Sequence, residues 1–413
     1  MKKKLLIFSI VMTLMASLAA CSNESASNND NGGKVTLTWW DAYGRGDGTE
    51  ISVKNAIKKY EETNPNIKIK RVEVPFAELK KKLLLGAAAG ELPDIVIVDN
   101  PDHQSMAAAG VLADITDDVK KWGEEENYFE GSWSTTVYKG KNYGIPLGSN
   151  NLALFYNEDL LNQAGVKPPT NWNELREAAE KLTNKSNGVY GMSVSAIKSE
   201  EGTFQFLPFV WQAGSDLDKF NSPGTVKAIS LWKELIDNGS MPRDILTQTQ
   251  QDTALQFING KVAMMVNGTW QNGQLEEKAK FNWKVAQLPA DKKGGTILGG
   301  ENFAITSTSK HKEEAWDVLK FIQKEDVLKV LVKEKGYLPA RKDVIQDDYW
   351  QSNEALKPFA DSMEFAKARA YGPKYPSISD EIQNMIQAVL TDDSTPKDAV
   401  KQTADKIKPY LSE

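Results

Sequence analysis

The sequence predicts an α/β protein built on a doubly wound parallel sheet, and three observations carry that reading. Strand and helix patterns alternate from Val35 to Val98, the order that winds a parallel sheet. Within that stretch Ile95-Val96-Ile97-Val98 is continuously apolar, as a strand buried on both faces of a parallel sheet must be. The chain has 413 residues and a single cysteine, so it rests on hydrophobic cores rather than disulfides. That length suits two or three domains, or two large lobes.

Each element follows from its pattern. Val35, Leu37 and Trp39 alternate with Thr36, Thr38 and Trp40, the period of two that marks a strand. Val53, Ala56, Ile57 and Tyr60 then share one helical face, and Asn64-Pro65 stops the helix. Ile67 to Val74 alternates again, Phe76 to Ala89 is helical up to Gly90, and the apolar strand follows. A second part opens near Ile145 with a strand from Asn151 to Tyr156 and a helix begun by Asn157-Glu158-Asp159. Thr170 or Asn171 caps an amphipathic helix that runs to Leu182. Further strands are expected at 191–196, 261–266, 283–288 and 302–306. Helices are expected at 225–236, 312–323, 379–390 and 396–411.

The first residues are not part of this fold. Lys2, Lys3 and Lys4 precede an apolar run of about 14 residues, short of the roughly 20 that span a membrane, so residues 1–20 read as an export signal. Leu18-Ala19-Ala20-Cys21 resembles the lipobox of bacterial lipoproteins. That resemblance implies cleavage before Cys21 and a lipid on its thiol. Residues 21–34 then form a polar tether (SNESASNNDNGGK after the cysteine). The chain has 50 basic and 56 acidic residues, a formal charge of −6, and losing the three leader lysines takes it to −9. An acidic chain of this kind is a poor partner for nucleic acid or an anionic bilayer, so the lipid alone would hold it to the membrane.

Beyond the leader, an ordered series of segments resembles the extracellular solute-binding proteins of ATP-driven sugar importers, the class that includes maltodextrin-binding proteins. These are VTLTWW, LPDIVIVDN, YGIPLGSNNLALFYNEDLLNQAG, KPPTNWNEL, FINGKVAMMVNGTW, GGENFAIT, EEAWDVLKFI and GYLPAR. The resemblance implies a two-lobed periplasmic-binding-protein fold with three interlobe crossovers, near 146–150, 299–302 and 344–358. Lobe one would comprise 35–147 plus 303–343, and lobe two 148–300 plus 349–413. It also implies a carbohydrate ligand in the cleft, two membrane permeases and an ATPase as partners, a monomeric receptor on the outer face of the cell membrane, and no cofactor.

Sugar recognition needs aromatic rings for the apolar faces of pyranoses and planar polar groups for their hydroxyls. Of the eleven tryptophans, Trp172, Trp232 and Trp316 sit at core spacing in helices, and Trp39 shares a strand face with Val35 and Leu37. Trp40, Trp211 and Trp270 stand where strands or helices give way to loops and are the candidate stacking rings, and Tyr337 matches a family position where a ring closes the cleft. Ligands of α/β sheets sit beyond strand carboxyl ends, so the loops after Trp39, Val98 and Val266 should face the cleft. The polar candidates are therefore Asp41, Asp99, Asn100, Asn150, Asn151, Asn267, Glu301, Asn302 and Arg369. Such Asp and Asn also serve as turn and cap residues, but Glu301, beside Gly299 and Gly300 at a crossover, needs a partner. Arg45, with Arg369, leaves open an acidic or amino-acid-conjugated sugar.

An enzyme is not expected. The two histidines, His103 and His311, read as exposed loop residues, and no GxSxG, Walker A, HExxH or zinc-binding cluster is present. Paired carboxylates keep a secreted glycoside hydrolase as the competing class, and a lectin-like lipoprotein without an importer as a third.

Overall fold

The computed structural model describes residues 34–44 and 48–412. The leader, Cys21, the tether up to Gly33, and Arg45 lie outside the described residues. The strands, in chain order, are β1 (Val35–Asp41), β2 (Ile67–Glu73), β3 (Ile95–Asp99), the hairpin β4 (Val137–Tyr138) and β5 (Lys141–Asn142), and β6 (Ile145–Pro146). They continue with β7 (Gly148–Asn157), β8 (Met264–Gly268), β9 (Trp283–Ala286), β10 (Thr296–Gly299), β11 (Glu301–Ile305), β12 (Leu338–Pro339) and β13 (Ala366–Lys367).

Two sheets organise the molecule. The first has the order β2-β1-β3-β11-β6, and the second β12-β7-β10-β13 with β8 and β9 also paired to β7. β1 lies parallel to β2 and β3, whereas β11 returns antiparallel to β3. The parallel part matches the expected winding: each of β1, β2 and β3 is joined to the next by a helix, Gly48–Thr63 and then Phe76–Ala89. The second sheet is largely antiparallel, because β7 pairs antiparallel with β8, β9, β10 and β12. The strand expected at 191–196 forms only single bridges, Tyr190 to Val262 and Ser193 to Met265. Ser193 N donates to Met264 O, but Met192 N donates to Ser240 O and Ala196 N to Ile245 O, so the segment divides its bonds between 261–266 and loops.

Local chemistry explains most helix limits. Asn171 is the cap that Thr170 or Asn171 was expected to supply: its Oδ1 accepts from Asn173 N and Glu174 N, while Glu174 Oε2 reaches back to Thr170 N at 2.7 Å. The helix Tyr375–Leu390 starts earlier than expected, since Pro376 in its first turn already has the helical φ. The helix Glu200–Gln212 was hidden by its uninterrupted apolar run and internal Pro208.

The chain passes between the sheets at Leu147, at Gly300 and after Gly336. Gly300 has φ +122°, and a side chain there would lie 2.2 Å from Gly148 O, so the first two passages touch through backbone. β12 pairs with the start of β7, so the third passage joins the second sheet before the expected 344–358 stretch.

The apolar packing forms two clusters, one covering the first sheet and one face of the second, the other covering the opposite face of the second. Trp39 is fully buried and meets Phe303 edge-on at 5.3 Å. Trp172, Trp232 and Trp316 are buried as expected. Trp232 lies edge-on to Phe206 at 5.3 Å and Phe209 at 5.5 Å. Trp232→Ala should therefore cost about 3–5 kcal/mol of stability, read as a lowered urea midpoint with an unchanged slope; a shift within about 1 kcal/mol would show that the site collapses around the cavity.

Candidate functional site

Strand register brings two carboxylates together where the sheets meet. β3 ends at Asp99, β11 begins at Glu301, and the antiparallel ladder sets these two opposite each other. Burial pushes the Asp99 carboxyl from its ordinary value of 3.8 up to about 8. Arg369 opposes that rise, while Asp102, Glu301 and Glu200 add to it. The shift favours the protonated form of Asp99 near neutral pH.

Glu301 is buried, and its two oxygens differ. Oε1 accepts from Tyr337 OH at 3.0 Å and pairs with Lys335 at 3.3 Å, whereas Oε2 has no partner. The Lys335 ammonium also lies over the rings of Tyr43 (4.6 Å) and Tyr337 (4.7 Å), and the Tyr43 hydroxyl is likewise buried without a partner. Burial and the neighbouring Glu301 charge hold both phenols well above their ordinary value, so they are neutral donors.

The second lobe supplies the facing wall. Arg369 is buried; its Nη1 pairs with Glu200, its Nη2 donates to Asn100 Oδ1 at 3.2 Å, and its Nε has no partner. Its guanidinium lies 4.6 Å from the Phe204 ring centre. Burial alone would lower the Arg369 pKa, but the neighbouring Glu200, Tyr375 and Asp99 outweigh that and raise it. Glu200 also accepts from Tyr375 OH at 2.6 Å and from Ser379 Oγ. Trp270, half-buried, tilts against Phe204 at 6.3 Å. Gly268 lets that ring fold back, since a side chain there would meet it at 2.0 Å.

The lobes touch on both sides of this space. Arg369 bonds Asn100, and Gly372 N donates to Gln104 Oε1 at 2.7 Å; opposite, Gly336 backs onto Thr269 and Trp270.

Of the sequence candidates, Asp99, Asn100, Asn150, Trp270, Glu301, Tyr337 and Arg369 gather here. Asn150 Oδ1 and the Phe204 ring both crowd Gly299. The others are occupied elsewhere. Asp41 is fully buried and held by Arg71 through Nη2 (2.6 Å) and Nε (2.7 Å), with Tyr43 N donating to it at 3.0 Å, so it braces the loop after β1. Trp40 lies under the Lys82 ammonium (4.5 Å) of the helix Phe76–Ala89. Asn151 donates to Phe359 O, Asn267 to Gln250 O, and Asn302 to Thr135 Oγ1, all buried. Trp211 is in the last turn of its helix, 3% exposed, with Nε1 donating to Tyr371 OH and Asp216. His103 corrects an expectation too: it lies fully buried in the helix Asn100–Ala108, where burial pushes its imidazole down to about 3 and keeps it neutral. His311 is half-buried just before the helix Lys312–Ile322.

Sequence reasoning missed Tyr43, Glu200, Phe204, Lys335 and Tyr375. Only Glu200 left a local signal: Ser199 caps the helix that Glu200 begins, and acidic residues favour a helix start.

Aromatic rings and unpartnered buried polar atoms from both sheets thus gather where two α/β lobes meet. The profile described as bacterial extracellular solute-binding protein matches residues 55–358, and this chain belongs to that family. A galactooligosaccharide-binding protein of Bacillus subtilis is 24% identical over 421 residues, which cover 99% of this chain and 97% of that one. An arabinooligosaccharide-binding protein of the same species is 26% identical over 452 residues, covering 99% and 100%. Among solved structures, an ABC transporter solute-binding protein from Thermotoga lettingae, bound with α-D-tagatose, superposes with a TM-score of 0.80 at 30% identity, covering 91% of this chain and 99% of that one. The cyclic α-maltosyl-1,6-maltose binding protein of Arthrobacter globiformis gives 0.80 at 26% identity, covering 92% and 99%.

The raised Asp99 pKa has a testable sign. A carboxyl whose folded pKa exceeds its unfolded one contributes stability at low pH that is lost as pH rises from about 4 through 8. Asp99→Asn lacks this loss. The melting temperature of the variant minus that of the wild type should climb between about pH 5 and 8 and level off above; a flat difference would assign Asp99 an ordinary pKa.

Proposed function

We propose that this protein captures a sugar or oligosaccharide outside the cell and presents it to the permeases of an ATP-driven importer, held to the membrane by a lipid on Cys21. The observation that carries the reading is the set of buried polar atoms without partners, Glu301 Oε2, Arg369 Nε and Tyr43 OH, drawn from both lobes and set beside the Trp270 and Phe204 rings. Hydroxyl groups and the C–H face of a pyranose complement such a set. The sugars bound by the relatives support the same class. The proposed site is Asp99, Asn100, Asn150, Trp270, Glu301, Tyr337 and Arg369, joined by Tyr43, Phe204 and Lys335. The helix-wound first sheet and the antiparallel second sheet act as the two lobes, and the protein works as a monomer without a cofactor.

Binding would be a population shift. The ligand stabilises the closed arrangement because only there does it reach Glu301 and Arg369 together, and the motion is absorbed at the passages around Gly148 and Gly300. Small-angle scattering should show the radius of gyration fall when a bound glycan saturates the protein; an unchanged value would count against closure. The same incubation separates a receptor from a glycoside hydrolase, since a receptor leaves the glycan intact and gains thermal stability.

Trp270 and Trp316 make contrasting probes. Trp270 is half-buried at the cleft, whereas Trp316 is buried edge-on to Trp122 at 5.8 Å. Trp270→Ala should weaken glycan binding with little loss of stability, and Trp316→Ala should cost about 3–5 kcal/mol of folding at near-normal affinity. Calorimetry and thermal unfolding of both variants decide it; the reverse order would remove Trp270 from the site.

A further inference from the structure

Among the described residues, the cations that reach the cleft already face carboxylates. Arg369 is paired with Glu200 and Lys335 with Glu301. The buried groups left without partners are of opposite kinds: Arg369 Nε is a donor and Glu301 Oε2 an acceptor. A hydroxyl group donates and accepts, so one sugar, through one or two of its hydroxyls, answers both. A ligand carboxylate would satisfy Nε but would bring a like charge to Oε2. A ligand ammonium would satisfy Oε2 and be repelled by the guanidinium.

Glu200 has a particular place in this balance. A carboxylate grips an arginine best through two parallel N–H bonds, and every such grip uses Nη1 or Nη2. Nη1 is engaged by Glu200 and Nη2 by Asn100. Glu200 is in turn fixed by Tyr375 and Ser379 and sits at the first turn of its helix.

We propose that the cleft selects uncharged sugars, and that Glu200 is the residue that sets this selection by neutralising Arg369. This deepens the sugar-capture reading and rests on it.

The test is a calorimetric panel of neutral di- to tetrasaccharides, each measured beside the same sugar oxidised at C6 to a uronate. For the wild type, the neutral sugar of a bound pair should be favoured by roughly tenfold or more, the size of one charge-assisted contact. Glu200→Gln frees the guanidinium, so the preference should shrink by roughly tenfold or reverse, and uronate binding should become sensitive to salt. Glu200→Asp retains the charge and should keep the neutral preference, which separates loss of charge from loss of structure, and thermal unfolding is read in parallel. Equal or tighter uronate binding by the wild type would overturn the proposal, and this holds even where Glu200→Gln does not fold. A neutral-to-uronate ratio that Glu200→Gln leaves within about twofold would overturn it as well. Binding of neither member of any pair would instead overturn the sugar-capture reading, and the selection with it.

Discussion

The passage from β10 through Gly300 into β11 is the constraint on which the rest of the molecule depends. Its first half pairs with β7 in the second sheet, and its second half pairs with β3 in the first. Nothing larger than hydrogen fits at Gly300, where the carbonyl of Gly148 presses from the neighbouring passage. Two backbone strands in contact make a hinge of small cross-section between two stiff sheets. The same register delivers Glu301 opposite Asp99 and sets Gly299 against Asn150, so one stretch of backbone both joins the lobes and lays the floor of the cleft.

That floor carries a concentration of ionisable groups that is expensive for a protein interior. Desolvating an ion pair costs several kcal/mol per ion and is recovered only when geometry and further hydrogen bonds are good. Arg71 and Asp41 meet that condition through paired bonds, with the Tyr43 backbone closing the arrangement. Arg369 and Glu301 meet it in part, since each leaves one polar atom without a partner. Asp99 avoids the cost by holding its proton. What sets Glu301 and Arg369 apart is that their unpartnered atoms belong to charged groups placed where the two sheets meet.

The same question of partners divides the polar candidates of the sequence. Candidates at strand ends shared one sequence character, a polar residue after an apolar run, yet they divided by partner. Asp99, Asn100 and Glu301 lie where two sheets face each other, while Asp41, Asn151, Asn267 and Asn302 found a partner inside their own lobe. Asp41 was claimed by Arg71 from the neighbouring strand, and Asn151 by the carbonyl of Phe359, more than two hundred residues away. Tryptophans divided likewise: helical spacing identified Trp172, Trp232 and Trp316 as packing residues, but the surroundings of Trp211 and Trp40 depended on Tyr371 and Lys82 from other segments.

What the sequence determined by itself is the part governed by near neighbours. Period-two and helical patterns defined β1, the helix Gly48–Thr63, β2 and β3, Asn171 marked a helix start, and an ordered series of short segments marked a two-lobed family fold. Tertiary structure alone decided which polar residues share a cleft. Glu200 and Arg369 are 169 residues apart and Asn100 and Arg369 are 269, so no local window holds both partners. Lys335 is an ordinary lysine after a helix until the third passage turns it toward Glu301. Burial, which sets the proton on Asp99 and the neutrality of His103, is a property of the closed interior and not of either residue's sequence surroundings, because desolvation depends on what packs around a group in space.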